Sequence, residues 1–224
     1  ISLAYELESY NLENDQVVYI KKHNYKTIDS LIINNEIEIR KNIIEQIIKP
    51  YLNAPIGIRF DQISESLVKR YYFISEKPEY NFGLIDSKKL GAVFSLNPQF
   101  NSLFTGIVGF SRNSRLQFMG EVNMHFENLI KNAESLDLYW EKTDSSSQVI
   151  KAGSFFPHPF GLDMGLDLKY HYEIFNGLYT RNENRLMLHT FIPIFNSFKV
   201  GFTRGKTNVT KKGDSAGYQT SSYK

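Results

Sequence analysis

Two hydrophobic periods divide the chain near Pro98. Before it, Ile39, Ile43, Ile44, Ile47 and Ile48 recur at a spacing that makes one face of a helix. This predicts a helix over 38–52, ending near Pro50, with loop chemistry in Asn53-Ala-Pro-Ile-Gly57. A second helix is predicted over 61–75, with Asp61 as its N-cap and Ile63, Leu67, Val68, Tyr71 and Tyr72 on its apolar side. Short β segments surround the helices: 27–33, broken by Asn34 and Asn35, then 81–85 and 89–96. The order β-α-α-β-β is a complete small α+β unit, because two amphipathic helices can cover a three-stranded sheet. Residues 1–25 read as a hairpin, 3–10 and 17–22, around a turn at 11–15.

After Pro98 the period becomes two. Leu116, Phe118, Gly120, Val122, Met124 and Phe126 share one strand face, and Gln117, Glu121, Asn123, His125 and Glu127 share the other. Leu162, Met164, Leu166, Leu168, Tyr170 and Tyr172 alternate in the same way with Asp163, Asp167, Lys169, His171 and Glu173. Weaker alternation marks 104–112, 136–142, 148–156, 186–192 and 198–204, which gives seven strands in a meander and an eighth beginning near Tyr218. The connections are expected at 113–115, 128–134, 143–147, 157–161, 174–183, 193–196 and 205–216, with the polar stretches 174–183 and 205–216 as the longer ones.

A soluble sandwich also alternates. The two best strands run longer than the ~5–6 residues usual in globular sheets and match the ~9–11 of membrane barrels. Their polar wall, with Asp163, Asp167, Lys169, His171 and Glu173, needs water, which a barrel lumen supplies. Composition agrees: 14 Tyr and 17 Phe against a single Trp suit sheets and half-wet membrane interfaces. No stretch approaches a spanning helix, so a membrane would have to be crossed by strands. A net charge of +2 provides no concentrated basic face, so nucleic acid is not an expected partner. With no Cys there is no disulfide framework. The start at Ile1, without Met or a signal peptide, reads as a processed or excised piece.

Several short motifs, in this order and spacing, resemble the bacterial surface antigen superfamily, the BamA/TamA-like outer-membrane assembly and translocation proteins. Thr27-Ile-Asp-Ser-Leu-Ile-Ile33 resembles the first strand of a POTRA domain, and Leu52-Asn-Ala-Pro-Ile-Gly57 the bend between its helices. Ser95-Leu-Asn-Pro98 leads into Phe104-Thr-Gly-Ile-Val-Gly-Phe-Ser-Arg112, which is similar to a first barrel strand. Gly120-Glu-Val-Asn123, Glu127-Asn-Leu129 and Glu134-Ser-Leu136 resemble the second strand, its periplasmic turn and the third strand, and 157–163 the next turn. The resemblance implies an α+β POTRA domain followed by an antiparallel transmembrane β-meander, part of a 16-stranded β-barrel. Residues 1–25 would end a preceding POTRA domain, 26–98 form a POTRA domain in the periplasm, and 99–224 the N-terminal part of the barrel. The chain supplies about half of such a barrel and lacks its closing strand.

The function so implied is assembly, insertion or translocation of outer-membrane proteins, with outer-membrane lipid, unfolded outer-membrane protein clients and accessory assembly subunits as partners. A client strand could add to an exposed sheet edge. The candidate edge holds Phe82, Gly83, Leu84, Leu90 and Ala92; the candidate gate strand holds Phe104, Gly106, Val108, Gly109 and Phe110. Gly106 and Gly109 either weaken that strand or relieve crowding. Other readings stay open: a two-partner secretion pore, the membrane module of a patatin-type lipase, or a soluble β-rich binding domain. No catalytic, cofactor or metal residue is expected. The five His (23, 125, 158, 171, 189) lack zinc-site spacing, Asp163 and Asp167 read as lumen residues rather than an acid–base pair, and neither G-x-S-x-G nor G-x-x-x-x-G-K-[ST] occurs.

Overall fold

The computed structural model describes residues 5–13, 16–25, 27–34, 36–52, 54–56, 58–86, 89–112, 116–190 and 198–224. The expected turns at 113–115 and 193–196, and Asn35, Asn53 and Gly57, lie outside them. Two compact units result, Ile1–Gln99 and Phe100–Lys224.

The first unit opens with an antiparallel hairpin of β1 (Tyr5–Glu13) and β2 (Gln16–Tyr25). The expected turn is therefore shorter, since Asn11, Leu12 and Glu13 pair with Val18, Val17 and Gln16. Next come β3 (Ser30–Ile33), α1 (Lys41–Ile48), a 3₁₀ turn (Lys49–Tyr51), α2 (Ile58–Arg70), β4 (Glu79–Asp86) and β5 (Lys89–Ser95). The β-α-α-β-β order is present, with β3 parallel and β4 antiparallel to a central β5.

α1 is shorter than the periodicity suggests. Pro50 cannot donate to the ladder, so the helix tightens into the 3₁₀ turn, closed by Leu52 N–H donating to the Lys49 carbonyl at 3.2 Å. Ile39, Ile43 and Ile47 are buried at i, i+4, i+8 spacing. α2 begins three residues before Asp61 and stops at Arg70, so Asp61 lies in the first turn instead of capping it. Tyr71, Phe73 and Ile74, beyond the helix end, are still buried. Their apolar character reflects core packing, not continued helix. Tyr51, Phe60 and Phe94 form the centre of the core, with ring centroids 4.6–5.5 Å apart and Tyr80 and Phe82 against Phe60.

The second unit is one sheet of eight strands, each bonded to its sequence neighbours. They are β6 (Leu103–Arg112), β7 (Leu116–Glu127), β8 (Ser135–Lys142), β9 (Gln148–Phe156), β10 (Gly165–Phe175), β11 (Tyr179–Thr190), β12 (Phe198–Val209) and β13 (Ser221–Tyr223). The short helix α3 (Lys211–Ser215) precedes β13. β6 and β13 are its edges and, among the described residues, do not pair; the eight-stranded meander is open, as expected of a chain that supplies about half of a sixteen-stranded barrel.

Three strand expectations are corrected. The segment 162–164 is turn, and β10 starts at Gly165. The loop expected over 174–183 is strand at both ends, joined by a turn over 176–178, with Ile174↔Thr180 and Phe175↔Tyr179 paired. The loop expected over 205–216 is strand as far as Val209. Polarity misled here, because Arg181 and Glu183 are partners on one wall of the sheet rather than loop residues. Of the two connections expected to be the longer ones, 174–183 therefore shrinks to the turn over 176–178.

Candidate functional site

Strand pairing sorts side chains into two walls. Register places Phe104, Val108 and Phe110 beside Met124, Gly120 and Phe118; Val122, Trp140, Ile150 and Tyr172 follow in one row. Leu168, Leu186 and Phe202 continue the same wall. It is apolar and open: Phe104, Phe110, Phe118, Phe198 and Phe202 are all more than half exposed. A soluble protein rarely leaves so much contiguous apolar surface uncovered.

The other wall is charged. His125 lies between two carboxylates, with Nδ1 2.6 Å from Asp137 and Nε2 2.9 Å from Glu127. The Tyr139 hydroxyl donates to Glu141 at 2.7 Å, and the Lys151 ammonium lies over the Tyr139 ring. Asp167 has Lys169 and His189 at 3.7 and 3.8 Å, and His171 approaches Glu173 at 3.7 Å. Glu183 takes Arg181 and Arg185 at 2.8 and 3.1 Å and accepts from the Tyr223 hydroxyl. That last contact fastens the short edge strand β13 to β11, and neither residue stood out in the sequence. Three of the five histidines are thus partners of carboxylates; His158 instead is buried in its turn, with Nδ1 2.9 Å from the Leu162 carbonyl oxygen. Among the described residues no group of three or more His, Asp or Glu could hold a metal ion.

The gate strand expected from the sequence is β6, an edge of the sheet. Phe104, Gly106, Val108 and Phe110 stand on the apolar wall and Gly109 on the polar one, opposite Met119. The crowded glycine of the β6–β7 pair is a different one. Gly120 of β7 has φ +154°, and a Cβ there would sit 2.1 Å from the Ile107 carbonyl oxygen. At Gly109 a Cβ would meet nothing within 4 Å, and at Gly106 the nearest atom is 3.1 Å away. Crowding therefore explains Gly120, which the sequence marked by its place on the apolar face and as the start of Gly120-Glu-Val-Asn123.

The candidate client edge divides. Phe82, Gly83 and Leu84 are on β4, a true edge, and Leu84 is 65% exposed. Leu90 and Ala92 are on central β5, paired on both sides and buried, so they are not on an edge. The reason is β3, which bonds parallel to β5 and covers it.

Three features fix the α+β unit beneath that edge. The Tyr51 hydroxyl donates to Ser64 Oγ at 2.9 Å, and Ser64 donates to the Phe60 carbonyl at 3.2 Å. Burial pushes the Tyr51 phenol well above its ordinary range. Tyr80 is pushed up to about 12, first by burial and then because its hydroxyl donates to the Asp61 carboxylate. At the surface, Lys77 at 2.8 Å holds the Glu65 carboxyl below its ordinary value.

No family description matches the sequence, and no curated protein matches it. Solved structures do. BamA from Haemophilus ducreyi lacking POTRA domains 1–3 matches with a TM-score of 0.52 at 12% identity, over 91% of this chain and 41% of that one. CdiB from Escherichia coli matches with a TM-score of 0.52 at 13% identity, over 91% of this chain and 40% of that one. The chain spans about two-fifths of the length of each. The likeness to BamA-like proteins read from short motifs is thus present at the level of fold, as a partial barrel sheet.

Proposed function

We propose that the chain is the last POTRA domain and the first half of an outer-membrane barrel whose complete form assembles or inserts outer-membrane proteins without enzymatic chemistry. On this reading residues 26–98 are the POTRA domain, residues before about 98 lie in the periplasm and the apolar wall faces lipid. The observation that carries it is that wall: phenylalanines more than half exposed on β6, β7 and β12, backed by a charged wall on the opposite face. The β-α-α-β-β unit and the fold likeness to BamA, which extends over 91% of the chain, support it. Such an arrangement can act through main-chain pairing. A client strand would add to β4 at Phe82–Leu84 in the periplasm and then to β6 at the membrane, gaining the hydrogen bonds an edge leaves unmade. The client's own folding would supply the driving force.

The test uses the complete protein in liposomes. A urea-unfolded outer-membrane barrel should fold faster than in empty liposomes, read by heat-dependent gel mobility. A Val108→Cys variant should cross-link during the reaction to a cysteine placed in the client's terminal strand. Export of a soluble partner with no acceleration of barrel folding would replace this reading with a secretion pore.

A further inference from the structure

The two walls differ in where their acids stand as well as in polarity. Every carboxylate of β7 to β12 lies on the polar wall: Glu121, Glu127, Asp137, Glu141, Asp167, Glu173 and Glu183. Among described residues the apolar wall of these strands has no acid, only the cations Lys142, Arg204 and Lys206. Arg204 and Lys206 are exposed, and no ion-pair partner is found for either among the described residues. Cations on a lipid-facing wall are costly unless they reach an interface where anions wait.

They stand directly above a hollow. The small residues Ala152 and Ser154 leave a depression of about 380 Å³ on the apolar wall, rimmed by Leu136, Leu168, Leu186 and Phe202. Arg204 is two residues beyond Phe202 on the same face, about 7 Å along the strand, and Lys206 about 7 Å further. Register puts Asn184 and Tyr170 beside Arg204, and Asn182 and Tyr172 beside Lys206. Acyl chain below, aromatic and amide groups at the boundary, and two cations above match an anionic lipid standing upright.

We propose that this face binds a phosphorylated, multiply acylated glycolipid of the outer leaflet, its acyl chain in the hollow and its phosphate on Arg204 and Lys206. The inference rests on the preceding reading for which wall meets lipid and which strand ends point outward. Arg204 supplies paired donors that suit a phosphate, and Lys206 adds a point charge.

The experiment takes the complete protein in detergent micelles and measures binding of fluorescent bis-phosphorylated lipid A, the same lipid without phosphates, and phosphatidylglycerol. The expected result is at least a tenfold preference for the phosphorylated lipid A over both others. R204Q/K206Q should remove that preference, while K199Q on the opposite wall should keep it. A152W, which fills the hollow, should weaken binding of both lipid A forms. Heat-dependent gel mobility establishes that each variant is folded. Equal binding of phosphorylated and dephosphorylated lipid A, or an unchanged preference in R204Q/K206Q, would overturn the proposal, as would equal binding of phosphatidylglycerol. Because the assay needs neither client nor orientation, loss of lipid selectivity with client folding intact refutes this inference alone. Selective binding without client folding refutes the assembly reading instead.

Discussion

Replacing Gly120 by alanine places a methyl group where the first two barrel-type strands come closest. The new Cβ would lie 2.1 Å from the Ile107 carbonyl oxygen and 2.9 Å from the Val108 Cα, both backbone atoms that cannot rotate away. At φ +154° an L side chain is also strained, which costs about 1–3 kcal/mol. Relief requires β6 to retreat by more than an ångström around the Val108↔Gly120 pair, weakening the ladder bonds beside it. At ~1 kcal/mol each, two such bonds add ~2 kcal/mol, so the total loss is about 3–5 kcal/mol. The strain falls on the pairing of β6 with β7, so the loss should be read first at that pair. Urea titration of the complete protein in micelles follows both overall unfolding and that pair, through gel mobility and through a fluorophore attached to a Val108→Cys variant. Gly109→Ala is the control, since its Cβ meets nothing within 4 Å. A Gly120→Ala midpoint equal to that of Gly109→Ala would refute the crowding argument.

Three further outcomes are expected. Leu168→Arg puts a charge on the apolar wall and should cost about 2–4 kcal/mol if that wall meets the bilayer midplane, whereas Val149→Arg, between Glu141 and Glu173 on the polar wall, should cost under ~1 kcal/mol; equal losses in outer-membrane levels would show that the walls are misassigned. Glu134→Ala removes a buried carboxylate that accepts from the Ile130 and Asn132 amides at 2.8 and 3.0 Å, and should lower stability by ~2 kcal/mol, read as increased proteolysis of the 128–134 turn. In the α+β unit, Tyr80 is protonated up to about 12 when folded but only to ~10 when unfolded. Its contribution is therefore complete below pH ~10 and is lost as pH rises through about 12, so Tyr80→Phe should flatten that alkaline fall in urea-unfolding curves.

The alternation at 116–126 and 166–172 survived folding because register keeps every second residue on one wall whatever lies beyond the strand. The isoleucine stripe did likewise, with Ile43 and Ile47 buried in α1 and Ile39 buried just before it. Strand ends were less legible. Arg181 and Glu183 look like loop residues one by one, and only pairing across β10, β11 and β12 makes them strand. The candidate edge was half legible: 81–85 and 89–96 read as strands, but nothing local says that β3 returns to bond β5 and leaves β4 outermost.

By itself, then, the sequence determined the two periods, the β-α-α-β-β order, the meander and the split into an apolar and a charged wall. These follow from side-chain spacing, which is a property of each segment alone. The tertiary structure decided which strands are edges, why Gly120 must lack a side chain, how Glu183 holds β13, and that every acid of β7 to β12 shares one wall. Each of those depends on which backbone lies alongside which, a relation between segments distant in the chain that local spacing does not encode.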